Sequence, residues 1–263
     1  EFNIAVLPGD GIGKEVTNAA LAVLAAAQKK HGGFKLATTE MPAGAGLYRD
    51  TGVALPEETL LGAGEADAIY IGAMGLPNIR YDDGTEIAPQ LDLRFQFGLY
   101  AGVRPVRAYP NGPGVLSDSR AGEIDFVLIR ESTEGLFASR GKGTVEDDRE
   151  AHETLVITRP ISEQLFDFSF ALARRRKATG RAGHVTLVAK ANVFASFAFF
   201  RKIFDERAAN YADITSDHRY VDAMALDMVR RPWDFDVMVT ENIFGDILSD
   251  LAAGLVGGMG FAP

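Results

Sequence analysis

The stretch FDVMVTENIFGDILSDLAAGL, residues 235–255, decides the fold class. Residues 235–239 form a short apolar run that reads as a strand. Beyond it, Ile243, Ile247, Leu248, Leu251 and Leu255 recur at helical spacing and make one stripe to bury. A strand passing directly into an amphipathic helix is half of a βαβ unit, which calls for a parallel sheet with covered faces. Asp246 and Asp250 lie on this helix four residues apart, so their carboxylates project one above the other. Like charges at that spacing repel by about 0.2–0.5 kcal/mol. A divalent cation turns the repulsion into attraction. An exposed acidic helix face accounts for the same spacing without any ligand.

The same alternation extends over the chain. Residues 4–7 read as a strand meeting the turn PGDGIG, and a helix rich in Ala follows over 14–30. Strands are expected at 35–41, 67–72, 100–106, 124–129 and 184–189, and helices at 56–63, 90–97, 159–178, 193–209 and 219–230. Residues 141–153 break the pattern, being polar and charged, and a β-type run follows at 154–158. An extended arm over about 138–158, pairing between subunits, fits this best. The expected class is therefore α/β with a largely parallel sheet.

Bulk properties narrow the function. The 263 residues suffice for one large domain or two ordinary ones, and 47% are hydrophobic. The net charge of −9 argues against a nucleic-acid partner, which needs a basic face. An anionic substrate then requires local clusters of arginine. The absence of cysteine excludes disulfides, thiolate metal sites and a cysteine nucleophile. No apolar run reaches the length of a membrane span, so no membrane partner is expected, and a cytoplasmic protein is the default. The chain starts at Glu1 without Met and stops after GLVGGMGFAP, so a further C-terminal part is expected.

Four groups of residues carry candidate chemistry. Gly9, Gly11 and Gly13 follow a strand and open a helix, as in a dinucleotide-binding turn, but Glu15 and Val16 stand where that fingerprint wants small residues. A tight glycine turn, with Asp10 capping the helix, explains the same residues. Arg94, Arg104 and Arg130 form a second group. Arg130 follows an apolar strand and should emerge at its C-terminal end, where open α/β sheets gather ligands. Guanidinium forks there suit a di- or tricarboxylate, while any one of them alone suits a surface ion pair. Lys190 closes the strand HVTLVAK and can serve as a base or sit solvated. Asp222 opens the helix VDAMALDMV, where its charge also suits the helix dipole.

In order, LPGDGIGKEV, LRFQFGLYAGVRPV, IRESTEGLF, AKANVF, YVDAMALDMV, TENIFGDILSD and GGMGFAP resemble the metal-dependent β-decarboxylating hydroxyacid dehydrogenases, the isocitrate/isopropylmalate dehydrogenase family with its tartrate and D-malate members. The resemblance spans nearly the whole chain. It implies the isopropylmalate dehydrogenase-like two-domain fold, not a Rossmann fold. Residues 1–99 with 251–263 would form the cofactor-side domain, and 100–250 the second domain with the dimer interface.

It also implies roles for residues. Arg94, Arg104 and Arg130, with Gln90, would bind substrate. Asp246 and Asp250, with Asp222 from a neighbouring subunit, would bind Mg²⁺ or Mn²⁺. Lys190, also from the neighbour, would take the C2 hydroxyl proton. Gly11, Ile12, Asn192 and Glu86 would border NAD, the nicotinamide cofactor expected over NADP. The implied reaction is NAD-dependent oxidative decarboxylation of a 3-substituted (2R)-malate of isopropylmalate, D-malate or tartrate type, by a homodimer with shared sites.

Three departures stand out. Phe137 occupies the place of a tyrosine that serves as the proton donor, and Phe cannot donate. Gln90 replaces the apolar residue that meets an isopropyl group, and Ala88 replaces a hydroxyl used by isocitrate enzymes. Phe137 keeps a second expectation open: a non-catalytic, ligand-binding regulatory homologue.

Overall fold

The computed structural model describes residues 1–261. These fall into two compact units, Glu1–Gly98 and one beginning at Leu99.

In the first unit, three parallel strands order as β2 (Leu36–Glu40), β1 (Phe2–Leu7) and β3 (Ala68–Ile71). The helices are α1 (Ile12–His31), α2 (Ala45–Thr51), α3 (Glu57–Glu65) and α4 (Pro89–Gln96). Ala5, Leu7, Ala43, Ala63 and Leu93 make one small core, and Ala45, Ala54 and Ile87 a second. The β1–α1 turn needs glycine for space: a Cβ on Gly9 would sit 2.2 Å from the Ala73 carbonyl oxygen, and one on Gly13 2.3 Å from that of Pro8. Asp10 does not cap α1. Its carboxylate is buried and accepts from the backbone N–H groups of Ala45, Gly46 and Gly75 at 2.7–2.8 Å, capping α2 and tying two loops to the glycine turn. The short α2, set between Gly44 and Gly52, gives too few apolar positions for periodicity to reveal it.

In the second unit, five strands order as β4 (Ala101–Arg107), β5 (Asp125–Glu131), β10 (Val237–Thr240), β8 (His184–Ala189) and β9 (Thr215–Tyr220). All neighbours are parallel except β4, which runs antiparallel to β5 at one edge. The central strands read as unbroken apolar runs because both their faces are covered. Val127, Ile129, Leu187 and Val239 face α5 (Arg159–Ala178) and α6 (Ala195–Ala208), where Phe166, Phe170, Phe200 and Phe204 interlock with ring centroids 4.6–5.3 Å apart. Phe126, Leu128, Val188 and Met238 face Met224 and Met228 of α7 (Val221–Arg230) and Leu248 and Ala252 of α8 (Asn242–Leu255).

Three differences from the sequence reading have physical causes. Strand β9 was not expected, and its last two residues fall in the helix expected at 219–230, because TSDHRY is polar, which an edge strand with one free side tolerates. The polar arm holds a hairpin, β6 (Thr144–Glu146) paired antiparallel with β7 (Glu150–His152), every residue of it exposed. Residues 251–256, expected to belong with the first domain, pack in the second unit: 251–255 are the end of α8, and Ala252, Leu255 and the following Val256 lie in the core on its sheet. Ala262 and Pro263, the end of the GGMGFAP motif and of the expected first domain, lie outside the described residues.

Candidate active site

Arg130 is the next-to-last residue of β5 and is almost fully buried, at 4% exposure. Strand β10 beside it leads into α8, and the two elements set Arg130 against the first turn of that helix. Its Nε and Nη2 both donate to the Asn242 side-chain oxygen, at 2.9 and 2.7 Å. Its Nη1 forms an ion pair with Asp246. The ring of Phe137 lies 5.1 Å from the guanidinium carbon. Burial pushes the Arg130 pKa down, and nearby Arg104 adds to this, while Asp246 opposes it. The close approach of α8 depends on Gly245, where a Cβ would stand 2.6–3.1 Å from Arg130.

Helix α8 is anchored at its start by Glu241, whose buried carboxylate accepts from the N–H groups of Ile243 and Phe244 at 3.1 and 2.7 Å. Burial raises the pKa of Glu241 and of Glu131, the residue after Arg130. Asp246 is half-exposed and Asp250, one turn on, is exposed. These are hard oxygen donors on one helix face, a chemistry that fits Mg²⁺ or Mn²⁺.

Arg104 lies on β4 opposite Leu128, and its Nε is buried without a hydrogen-bond partner. An orphaned donor of that kind is costly unless a ligand meets it.

Lys190 and Asp222 meet each other in one chain. Lys190 follows β8, Asp222 lies in the first turn of α7, and Nζ donates to Oδ1 at 2.6 Å. The lysine holds the Asp222 carboxyl below its ordinary range. Asp222 is exposed and Lys190 is one-quarter exposed. The chain alone does not gather Asp222 with Asp246 and Asp250. Among the described residues, three ligand-type side chains converge instead on the hairpin, at Glu146, Glu150 and His152. Asn192 is exposed in the turn after β8.

The remaining sequence-predicted residues belong to the first unit. Gly11 and exposed Ile12 open α1, and Gly11 lines a 370 Å³ cleft with Lys14, Met41, Arg49 and Leu76. Gln90 and Arg94 lie one turn apart on α4, and the Gln90 Oε1 is buried without a hydrogen-bond partner. Glu86 is exposed and pairs with Arg80 at 3.2 Å.

The profile of the family described as isocitrate/isopropylmalate dehydrogenase matches residues 3–263. The chain belongs to that family. A 3-isopropylmalate/3-methylmalate dehydrogenase of Methanocaldococcus jannaschii is 42% identical over 99% of this chain and 72% of its own length. A probable tartrate dehydrogenase/decarboxylase of Bacillus subtilis is 35% identical over 100% of the chain and 73% of its own. The crystal structure of isocitrate dehydrogenase from Methylococcus capsulatus superposes with a TM-score of 0.84 at 36% identity, covering 100% of this chain and 73% of that one. The fold is thus that of the isocitrate/isopropylmalate dehydrogenases, and the protein is a decarboxylating dehydrogenase that oxidises small hydroxy carboxylates. Among the described residues no helix is long and apolar enough to cross a membrane.

Sequence reasoning missed Asn242 and Glu241. Both stand inside the quoted TENIFGDILSD motif, but their partners are set by tertiary contact: Asn242 reaches Arg130 across 112 positions.

Proposed function

We propose that this dehydrogenase oxidises a 3-substituted (2R)-malate with NAD and Mg²⁺ or Mn²⁺, releasing CO₂, and works as a homodimer with shared sites. The observation that carries the reading is the buried Arg130 guanidinium at a strand's C-terminal end, beside the Asp246 carboxylate and one helical turn from Asp250. In this reading Arg94, Arg104 and Arg130 hold the substrate carboxylates, and the unpartnered Arg104 Nε is one donor awaiting an oxygen. Lys190 accepts the C2 hydroxyl proton, and Asp222 keeps its amine aimed through the 2.6 Å contact. Asp246 and Asp250, with Asp222 of a second copy, hold the cation, which supplies Lewis acidity toward the oxygen on C2. Gly11, Ile12, Glu86 and Asn192 border NAD, the hydride acceptor. Phe137 has no proton to give, so water protonates the carbon that CO₂ leaves.

The names of the M. jannaschii and B. subtilis relatives support a malate substituted at C3. Gln90, with its unpartnered buried oxygen, favours a small or polar substituent, as in D-malate or tartrate, over isopropyl. The rival reading, a non-catalytic ligand-binding homologue, has only Phe137 in its favour. The test is formation of NADH and CO₂ from a panel of D-malate, tartrate and 3-isopropylmalate, with Mg²⁺ or Mn²⁺ and with NAD or NADP. Turnover of at least one member with NAD is expected; silence across the panel contradicts the proposal.

A further inference from the structure

We infer that Asn242 is a positioning residue for Arg130, and that its being a neutral amide keeps a second negative charge, beside that of Asp246, away from the guanidinium that meets a substrate carboxylate. The inference rests on Arg130 being a carboxylate ligand, as proposed above.

Asn242 is the first residue of α8 and is 1% exposed. Its Oδ1 accepts from both Nε and Nη2 of Arg130, at 2.9 and 2.7 Å. Its Nδ2 donates to the Glu134 carbonyl at 3.0 Å, which fixes the amide's orientation. One edge of the guanidinium is therefore occupied by a single oxygen. On the other edge Nη1 donates to Asp246, and the second Nη1 and Nη2 hydrogens, which Asn242 does not take, face the side where a further carboxylate would add.

The backbone enforces the arrangement. Gly245, one turn from Asn242, brings α8 into contact with Arg130 at a distance no Cβ allows. Gly135, at φ +71°, keeps the opposite loop clear of Asn242, whose Cβ would be 3.0 Å from an added methyl. A fork pinned on one edge loses little side-chain freedom when it binds a carboxylate on the other.

The chemistry distinguishes an amide from an acid at this position. A carboxylate in the same place would accept the same two hydrogen bonds but would neutralise Arg130 with a permanent buried ion pair. Added to the Asp246 ion pair, it would set a second negative charge against the guanidinium and repel an incoming substrate carboxylate.

The experiment compares Asn242→Asp and Asn242→Ser with Arg130→Lys, using the hydroxyacid with the highest turnover in the panel. Each variant is assayed for the KM of the hydroxyacid, the KM of NAD and kcat. Asn242→Asp is expected to raise the hydroxyacid KM by about tenfold, equivalent to about 1.4 kcal/mol, with the NAD KM within about twofold of wild type. Asn242→Ser, which keeps a neutral acceptor, is expected to raise it less. If Asn242→Asp does not fold, Gly245→Ala displaces Arg130 sterically and is expected to raise the same KM selectively.

A hydroxyacid KM unchanged in folded Asn242→Asp or Gly245→Ala, or one that rises in step with the NAD KM, overturns the inference. Arg130→Lys separates the two failures. If it too leaves the hydroxyacid KM unchanged, the proposed role of Arg130 fails; if it raises that KM and the Asn242 variants do not, only the role of Asn242 fails.

Discussion

Two charge clusters in the second unit are built in opposite ways. Around Arg130 the groups are buried and cross-braced: the guanidinium is held by an amide, an aromatic ring and a carboxylate, and α8 is clamped onto β5 through Gly245. Around Lys190 there is one ion pair at the surface, with Asp222 mostly in water. A buried cluster couples function to folding, because removing one member strands the others. An exposed pair contributes little to stability, so chemistry can be removed from it while the fold is left alone.

The largest expected effect tests the exposed side of that contrast. Lys190→Ala should lower kcat by about 10²–10⁴-fold, the usual worth of a positioned base. Its thermal midpoint should match wild type, which differential scanning calorimetry checks. A large drop in stability would mean that the pair is structural after all.

On the buried side, Arg130→Met should impair both properties. It leaves the Asn242 oxygen inside the protein without a donor, a cost of about 1–3 kcal/mol in urea unfolding. The hydroxyacid KM should rise in the same variant. Loss of activity at unchanged stability would erase the distinction between the clusters.

A smaller effect concerns the ring that covers Arg130. Phe137→Tyr restores a proton donor beside the guanidinium. If water delivers the proton in the wild type, the variant should show a higher kcat and a smaller solvent isotope effect on CO₂ release. No change in either places proton delivery outside the slow step.

The smallest effect is in pH dependence, where the clusters should carry opposite signs. Burial raises the pKa of Glu241 above its ordinary 4.5, so the folded state binds the proton more tightly than the unfolded. Its stabilisation is complete below 4.5 and is lost as pH climbs through the raised folded value. Asp222 is lowered from 3.8 by its hydrogen bond to Lys190, so its contribution is present above 3.8 and disappears as pH falls through the lower folded value. Glu241→Gln should flatten the loss of stability on the alkaline side of 4.5, and Asp222→Asn the loss on the acid side of 3.8, in urea titrations across pH.

The contrast also explains what the sequence discloses. Helix α5 and strand β8 were legible to the residue because their apolar periods are clean and their ends carry signals, such as Pro160 in the first turn and Arg175–Lys177 in the last. Edge strand β9 and helix α2 were not, one being polar and the other seven residues long. The Asp246–Asp250 spacing and the strand-end positions of Arg130 and Lys190 follow from local periodicity. The Asn242–Arg130 bond does not, because it is set by how closely a helix packs on a strand, and a glycine three residues later was its only trace. Asp10 shows the same limit: its position beside a helix suggested a cap, but folding delivered that cap to a different helix.

The most direct test of the account is Mn²⁺ binding, followed by electron paramagnetic resonance, to wild type, Asp246→Asn and Asp250→Asn in the presence of the hydroxyacid. The account predicts one saturable site per chain in the wild type, weakened at least about tenfold by either substitution, as expected for loss of one charged ligand. Equal Mn²⁺ affinity in all three proteins would contradict it.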